Sequence, residues 1–267
     1  MEIAIIGHGF VGKAVSNSFK DVEDVTTMIV DPKGTDTVSL EYATKEAQIF
    51  FICLPTPQNH NGSCDTSIVE NTVNYITSKI NTAQPLIIIK STVTPDVLEE
   101  LEANTIIPIV YNPEFLTQAN SVNDYLTPQM HILGGRKRAT EKAEWILVNK
   151  SKCQPCPVYQ TDIRTASLAK YAINSYLATK VTFMNELFQL HYMSGAESTF
   201  SELATILSSD PRIGKSHNQV PGPDGSFGFG GTCFPKDTSA FIEYAKSQNA
   251  PLKTLEAAVE VNNKIQN

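Results

Sequence analysis

The segment Gly228-Phe229-Gly230-Gly231-Thr232-Cys233-Phe234-Pro235-Lys236-Asp237 sets a single cysteine between a glycine-rich bend and a proline. Proline suits the first turn of a helix, and the run from Asp237 to Ser247 has helical spacing. Cys233 is therefore expected just outside a helix N-terminus, where a thiolate is favoured and accessible. A cysteine so placed is a competent nucleophile. Asp237 suits the positive end of the same helix. A small apolar cysteine filling a gap beside a capping aspartate is the plainer structural alternative.

Lys170 and Asn174 form a second constellation. They are four residues apart and project from one helical face among Ala166, Ala169, Ile173 and Leu177. A lysine buried there needs an anionic or polar partner, and its pKa shifts easily. A snorkelling lysine beside a surface amide explains the pair equally well. A third pattern opens the chain. In Ile3-Ala4-Ile5-Ile6-Gly7-His8-Gly9-Phe10-Val11-Gly12, the glycines fill the three positions of a dinucleotide fingerprint between a strand and a helix. Gly7 permits the turn, Gly9 lets backbone approach a pyrophosphate, and Gly12 lets helix and strand pack. Phe10 and Val11 belong to the same phosphate-facing turn. Asp31 ends the next strand, 19 residues after Gly12. A carboxylate there accepts from a ribose 2′-hydroxyl and repels a 2′-phosphate, which selects NAD over NADP.

These residues need a scaffold, and the first half of the chain supplies one. The runs EIAIIG, VTTMIVD, AQIFFICLP, PLIIIKST, IIPIVYNP and MHILGG are continuously apolar, as strands buried on both faces are. Amphipathic segments separate them. After Asp65, expected to be an N-cap, Ile68, Val69, Thr72, Val73, Ile76 and Ile80 share one helical face. The alternation predicts an α/β, Rossmann-like doubly wound parallel sheet. From about Thr161 one long helix is expected, free of proline, ended by Gly195 and apolar nearly all round. The boundary is placed near 150–161, giving a nucleotide-binding domain over 1–157 and a helical domain over 158–267. Trp145 is expected in the core, and His131 and His191 read as structural.

Composition narrows the classes. The 267 residues are 41% hydrophobic and 18% charged, ordinary for a soluble globular protein. A formal charge of −7 argues against a broad nucleic-acid surface. No apolar run is long enough for a membrane span or signal peptide. Five sparse cysteines make no disulfide framework, so a reducing cytoplasm is the expected setting. Cys153 and Cys156 form a lone CxxC without a second pair, so no metal site is expected.

Taken together, these residues resemble the UDP-glucose/GDP-mannose dehydrogenase family. The likeness runs in order through the glycine fingerprint, LPTP at Leu54 to Pro57, KSTV at Lys90 to Val93 and NPEFL at Asn112 to Leu116. It continues with the Lys170/Asn174 helix, RIG at Arg212 to Gly214, and the Cys233 segment. The resemblance implies oxidation of the C6 primary alcohol of a nucleotide sugar, with UDP-glucose the best guess, to the carboxylate by two hydride transfers to NAD. It implies Cys233 as the covalent nucleophile, Lys170 and Asn174 as stabilisers of the substrate oxygen, Asp237 as base, Glu114 as acid/base and Thr92 as the residue ordering water. Pro55, Thr56, Ser91, Thr92, Gln118 and Lys236 align with cofactor contacts. Glu114, Phe115, Leu116, Arg212, Gly222, Gly225, Ser226 and Gly230 align with the sugar-nucleotide site. It also implies a homodimer through the long helix, with Arg212 reaching the neighbour's site.

The chain departs from the family in three places. Thr117, Gln118 and Ala119 stand where Arg-Glu-Gly is usual, and Ser167 stands where a glutamate is usual. The family's third domain is expected to be absent beyond LEAAVEVNNKIQN. Two other readings compete: a two-domain β-hydroxyacid dehydrogenase, which oxidises once and needs no thiol, and an inactive NAD-binding dimerisation module.

Overall fold

The continuous apolar runs become strands. The computed structural model describes residues 1–266 and divides into two compact units. The first comprises Met1–Pro57 and Cys64–Lys170, the second Gln58–Ser63 and Tyr171–Asn267.

In the first unit β1 (Glu2–Ile6), α1 (Phe10–Phe19), β2 (Thr26–Val30), α2 (Leu40–Glu46) and β3 (Ile49–Ile52) follow one another. Then come α3 (Ser67–Lys79), β4 (Leu86–Ile89), α4 (Pro95–Asn104), β5 (Ile109–Tyr111), a 3₁₀ turn (Gln118–Asn120) and α5 (Ser121–Leu126). The unit continues with β6 (His131–Gly135), α6 (Lys137–Asn149) and β7 (Val158–Thr161). The seven strands form one sheet in the order β2-β1-β3-β4-β5-β6-β7. Ile5, Phe51, Ile88 and Val110 pair across four strands and are all fully buried. With Val15 and Phe19 of α1 and Ala143 and Ile146 of α6 they belong to the main core cluster. Each of the valine, isoleucine and phenylalanine side chains contributes about 1.5–3 kcal/mol by leaving water.

Parallel pairing brings four strand ends level, so that Ile6, Ile52, Ile89 and Tyr111 finish in one row. The next residues, Gly7, Cys53, Lys90 and Asn112, continue the ladder through backbone bonds to Val30, Ile6, Ile52 and Ile89. This row marks the carboxyl edge of the parallel strands, where α/β sheets take their ligands.

Three local expectations need correction. β6 runs antiparallel to β5, because the connection from Pro113 to Met130 never crosses to the far end of the sheet. The α3 helix starts one residue later than expected, with Thr66 at the N-cap position. The Asp65 carboxylate still accepts the Ser67 N–H at 3.0 Å, but Ile68 faces solvent. Trp145, expected in the core, is half exposed on α6.

Helix α7 (Ile163–Met193) is the long helix. Asp162 caps it, accepting the Thr165 N–H at 2.8 Å and its hydroxyl at 2.7 Å. Gly195, at φ +74°, follows its end. In the second unit α8 (Phe200–Ser208), α9 (Phe234–Ser247) and α10 (Lys253–Gln266) complete the chain. The long helix is not covered all round: Tyr176, Phe183 and Leu190, seven residues apart, are 60–66% exposed. Among the described residues no helix is long and apolar enough to cross a membrane.

Candidate active site

At the carboxyl edge of the first unit the glycines have distinct duties. A Cβ on Gly12 would lie 2.0 Å from the Gly7 carbonyl oxygen, and one on Gly7, at φ +90°, 2.5 Å from that of Cys53. These two positions exclude any side chain. Gly9 is different, because a Cβ there would meet nothing within 4 Å. It is the N-cap of α1, and no side chain takes a hydrogen bond from the helix start. Helix N–H groups left this way form a cradle for a pyrophosphate. Asp31 accepts the His8 N–H at 2.7 Å and the Lys33 N–H at 2.8 Å. Those two backbone bonds, Lys33 first, hold its carboxyl below the usual range, so it stays an acceptor for ribose hydroxyls.

The LPTP turn follows β3, with Pro55 exposed and Thr56 buried. Ser91 is buried and its hydroxyl donates to the Leu54 carbonyl at 2.7 Å, pinning that turn to the end of β4. Thr92, beside it, is half-buried.

Glu114, three residues past β5, is 8% exposed. The Lys170 ammonium, 2% exposed, donates to its carbonyl at 2.5 Å and lies 3.3 Å from its Oε1. The Leu116 N–H donates to its Oε2 at 2.7 Å. Phe115 presents its ring 5.0 Å from the same ammonium. The lysine is thus no snorkelling side chain but a buried cation held at a carboxylate. Gln118, Thr117 and Ala119 are exposed, and Thr117 closes its turn on Asp124 through its N–H and hydroxyl. Ser167 is fully buried and donates to the Val93 carbonyl at 2.7 Å, fastening α7 to the segment after β4.

The second unit carries the thiol. Cys233 is the N-cap residue of α9 and Pro235 lies in its first turn, as the sequence predicts. One turn on, Asp237 is 1% exposed. Its Oδ2 accepts from Asn174 at 2.6 Å and its Oδ1 from Lys236 at 2.5 Å. The Asp237 N–H donates to the Cys233 carbonyl at 2.8 Å, so thiol and carboxylate share one helical turn. Gly222 to Ser226 close on themselves through Gly222 N–H to Ser226 and Gly225 N–H to Gly222. Gly225 and Ser226 are exposed, as is Gly230. Arg212 is exposed and paired with Asp210 at 2.6 Å.

Comparison with known proteins places both halves of the chain in one family. The profile for the UDP-glucose/GDP-mannose dehydrogenase family, NAD binding domain, matches residues 33–149, and that for the family's central domain matches 164–264. A UDP-glucose 6-dehydrogenase of Haloferax volcanii is 30% identical over 98% of this chain and 69% of its own. The chain belongs to the UDP-glucose/GDP-mannose dehydrogenase family. NAD is its cofactor, and the open helix start at Gly9 with the ionised Asp31 fits that molecule. A UDP-glucose dehydrogenase of Pyrobaculum islandicum superposes with a TM-score of 0.81 at 25% identity, over 98% of this chain and 68% of that one. The 3-hydroxyisobutyrate dehydrogenase of Mycobacterium tuberculosis shares the fold at a TM-score of 0.77 and 18% identity, over 98% and 92%. The chain spans about half to two thirds of the length of the curated relatives it matches.

Sequence reasoning missed one buried group in this family's KSTV segment. Lys90 is 3% exposed, donates to Asn112 Oδ1 at 2.9 Å and lies 5.0 Å from the Tyr125 ring. Asn112 in turn donates to the Ile132 carbonyl at 2.9 Å, joining β5 to β6. Burial brings the Lys90 ammonium down to about 8, while it pushes the neighbouring Cys53 thiol up to about 12. The signal available was a lysine at the end of a strand otherwise wholly apolar. Cys153, of the CxxC, donates its S–H to the Tyr125 carbonyl at 3.2 Å. Among the described residues no group of His, Cys, Asp and Glu is arranged to hold a metal ion.

Proposed function

We propose that this chain carries the NAD-binding and catalytic parts of a nucleotide-sugar dehydrogenase that oxidises a C6 primary alcohol to the carboxylate, with UDP-glucose the leading substrate and UDP-glucuronate the product. NAD, when bound, takes up one hydride at each of two oxidations. The chain's own residues do the rest. Glu114 receives the one proton released as the alcohol becomes an aldehyde, and Asp237 stays unprotonated for the later hydrolysis. The Cys233 sulfur then adds to the aldehyde carbon, and its proton goes to the carbonyl oxygen. Loss of a second hydride and that proton leaves a thioester. Water, ordered by Thr92 and deprotonated by Asp237, breaks the carbon–sulfur bond and returns the thiol. The sum is one alcohol, two NAD and one water giving one carboxylate, two NADH and three protons. Lys170 and Asn174 stabilise negative charge on the substrate oxygen as it develops. Gly222 to Ser226 and Gly230 line the sugar-nucleotide end, and Arg212 reaches the same end of the site in a second copy.

The observation that carries this reading is the thiol at the start of α9 with a buried, doubly paired carboxylate one turn later. A β-hydroxyacid dehydrogenase, the runner-up, has no use for that thiol. Stoichiometry decides between them: the expected yield is two NADH per UDP-glucose, and Cys233→Ala should abolish carboxylate formation. One NADH per substrate with an active Cys233→Ala enzyme would reject the reading. NAD affinity without turnover of any UDP- or GDP-sugar would leave an inactive binding module. A reducing cytoplasm suits the chemistry, since Cys233 must remain a thiol, and among the described residues no disulfide forms.

We further propose a homodimer through α7. Tyr176, Phe183 and Leu190 form an apolar stripe that solvent would otherwise wet, and a second copy of the same stripe is its natural cover. Light scattering at micromolar concentration should give twice the 29.3 kDa chain mass. A monomer would exclude the pairing.

A further inference from the structure

The Cys233 thiol lies beyond a glycine bend, and a bend so permissive needs an outside hold. Gly230, Gly231 and Thr232 are exposed, and Gly231 adopts φ +75°. The residue before them, Phe229, is 4% exposed and is gripped at its peptide. Asn262 of α10, itself 2% exposed, accepts the Phe229 N–H on Oδ1 at 2.6 Å and donates from Nδ2 to the Phe229 carbonyl at 3.0 Å. A carboxamide presents a donor and an acceptor side by side, as a neighbouring strand does, so two bonds fix both the place and the tilt of that peptide. Gln266 Nε2 donates to the same carbonyl at 2.9 Å. Asn185 Oδ1 accepts the Gly228 N–H at 3.0 Å, one residue upstream. Gly228, at φ +74°, leaves no room for a side chain, because a Cβ would lie 2.5 Å from Asn262 Oδ1. On the far side of the bend Phe234 meets the Phe229 ring edge-on at 6.3 Å.

We propose that Asn262 is a positioning residue for Cys233: its amide clamps the Phe229 peptide and thereby fixes where the glycine bend delivers the sulfur. This rests on the reading of Cys233 as the nucleophile. The clamp acts on geometry, so its loss should lower kcat and leave the NAD interaction alone. An error of about 1 Å at a reacting group costs roughly a hundredfold in rate.

The experiment compares the wild-type chain with Asn262→Leu and Asn262→Asp. In Asn262→Leu, hydrogen exchange at residues 228–233 should rise about tenfold while strands β1, β3 and β4 keep theirs. Its kcat for UDP-glucose should fall roughly a hundredfold, with KM for NAD within about twofold. Asn262→Asp keeps the acceptor for the Phe229 N–H and loses the donor to the carbonyl. Its activity relative to wild type should recover as the pH is lowered, because a protonated carboxyl donates again. Alkylation of Cys233 by iodoacetamide, followed by peptide mass spectrometry, needs no turnover, and in Asn262→Leu it should accelerate about fivefold as the thiol comes free. Unchanged exchange at 228–233, unchanged alkylation, or a kcat within about twofold of wild type would overturn the clamp. Should the wild type turn over no sugar nucleotide, the nucleophile reading falls, and exchange with alkylation still decides whether Asn262 holds the thiol.

Discussion

Gly9 and Gly12 lie three residues apart and would respond differently to the same added methyl group. At Gly12 the Cβ would sit 2.0 Å from the Gly7 carbonyl, so Gly12→Ala must push α1 away from β1. A loss of about 3 kcal/mol is expected in urea denaturation. Gly9→Ala meets no atom within 4 Å and keeps an allowed backbone at φ −69°, so the denaturation midpoint should not move. NAD binding should weaken roughly tenfold, because the methyl enters the phosphate cradle, and titration calorimetry reads that directly. Lys90 makes a prediction in pH. Its ammonium has an ordinary value of 10.5, and burial lowers it to about 8. Between those values the unfolded chain binds a proton that the folded chain does not, so the Lys90 contribution to stability rises with pH across that window. In full it approaches about 3 kcal/mol. Wild type should therefore gain on Lys90→Met from pH 8 to 10.5, and a flat difference in urea midpoints would count against the assignment. The tight turn at Gly7 and Gly12 and the helix start at Cys233 were legible because each is set by local sequence. Lys90 was not, since its partners Asn112 and Tyr125 are distant in sequence.

At the scale of elements, the start of α7 joins helix to sheet. Gly134 of β6 lies beneath it, and a Cβ there would come 2.4 Å from Ala166 Cβ and 3.0 Å from the Asp162 carbonyl. Gly134→Ala should lower the thermal midpoint, and more so than Asp162→Ala, which removes a cap worth about 1 kcal/mol. Equal shifts for the two variants would mean that β6 gives way to the methyl. The strands β1, β3, β4 and β5 were readable because burial on both faces demands unbroken apolar runs, whereas β2, expected to be buried likewise, lies at the sheet edge with none of its residues fully buried. The direction of β6 was not readable, since direction depends on the route of the connection and leaves no mark on the strand itself. Strand β7, Val158–Thr161, was unreadable for another reason. Its Tyr159 and Gln160 are exposed at the sheet edge, so the apolar run that marked the other strands is missing. Helix α7 was legible from end to end, and its nearly all-round apolar character left open whether a bundle or another subunit covers it; one stripe stays exposed in the single chain.

Across the whole molecule, that stripe carries the assembly prediction. Phe183→Glu places a charge at its centre, 60% exposed in the single chain, and should therefore shift a dimer to monomers while leaving the fold intact. Sedimentation velocity with circular dichroism separates that outcome from unfolding. The two units also differ in how they are drawn from the sequence. Gln58–Ser63 lies far upstream yet groups with the second unit, where Gln58 Nε2 donates to Ser239 at 2.8 Å and Gly62 leaves room for that serine. The polypeptide is thus interleaved, and no one scissile bond separates its halves cleanly. A fragment starting at Tyr171 would be born missing a six-residue piece of its own wall, and would need that hexapeptide supplied in trans to be whole.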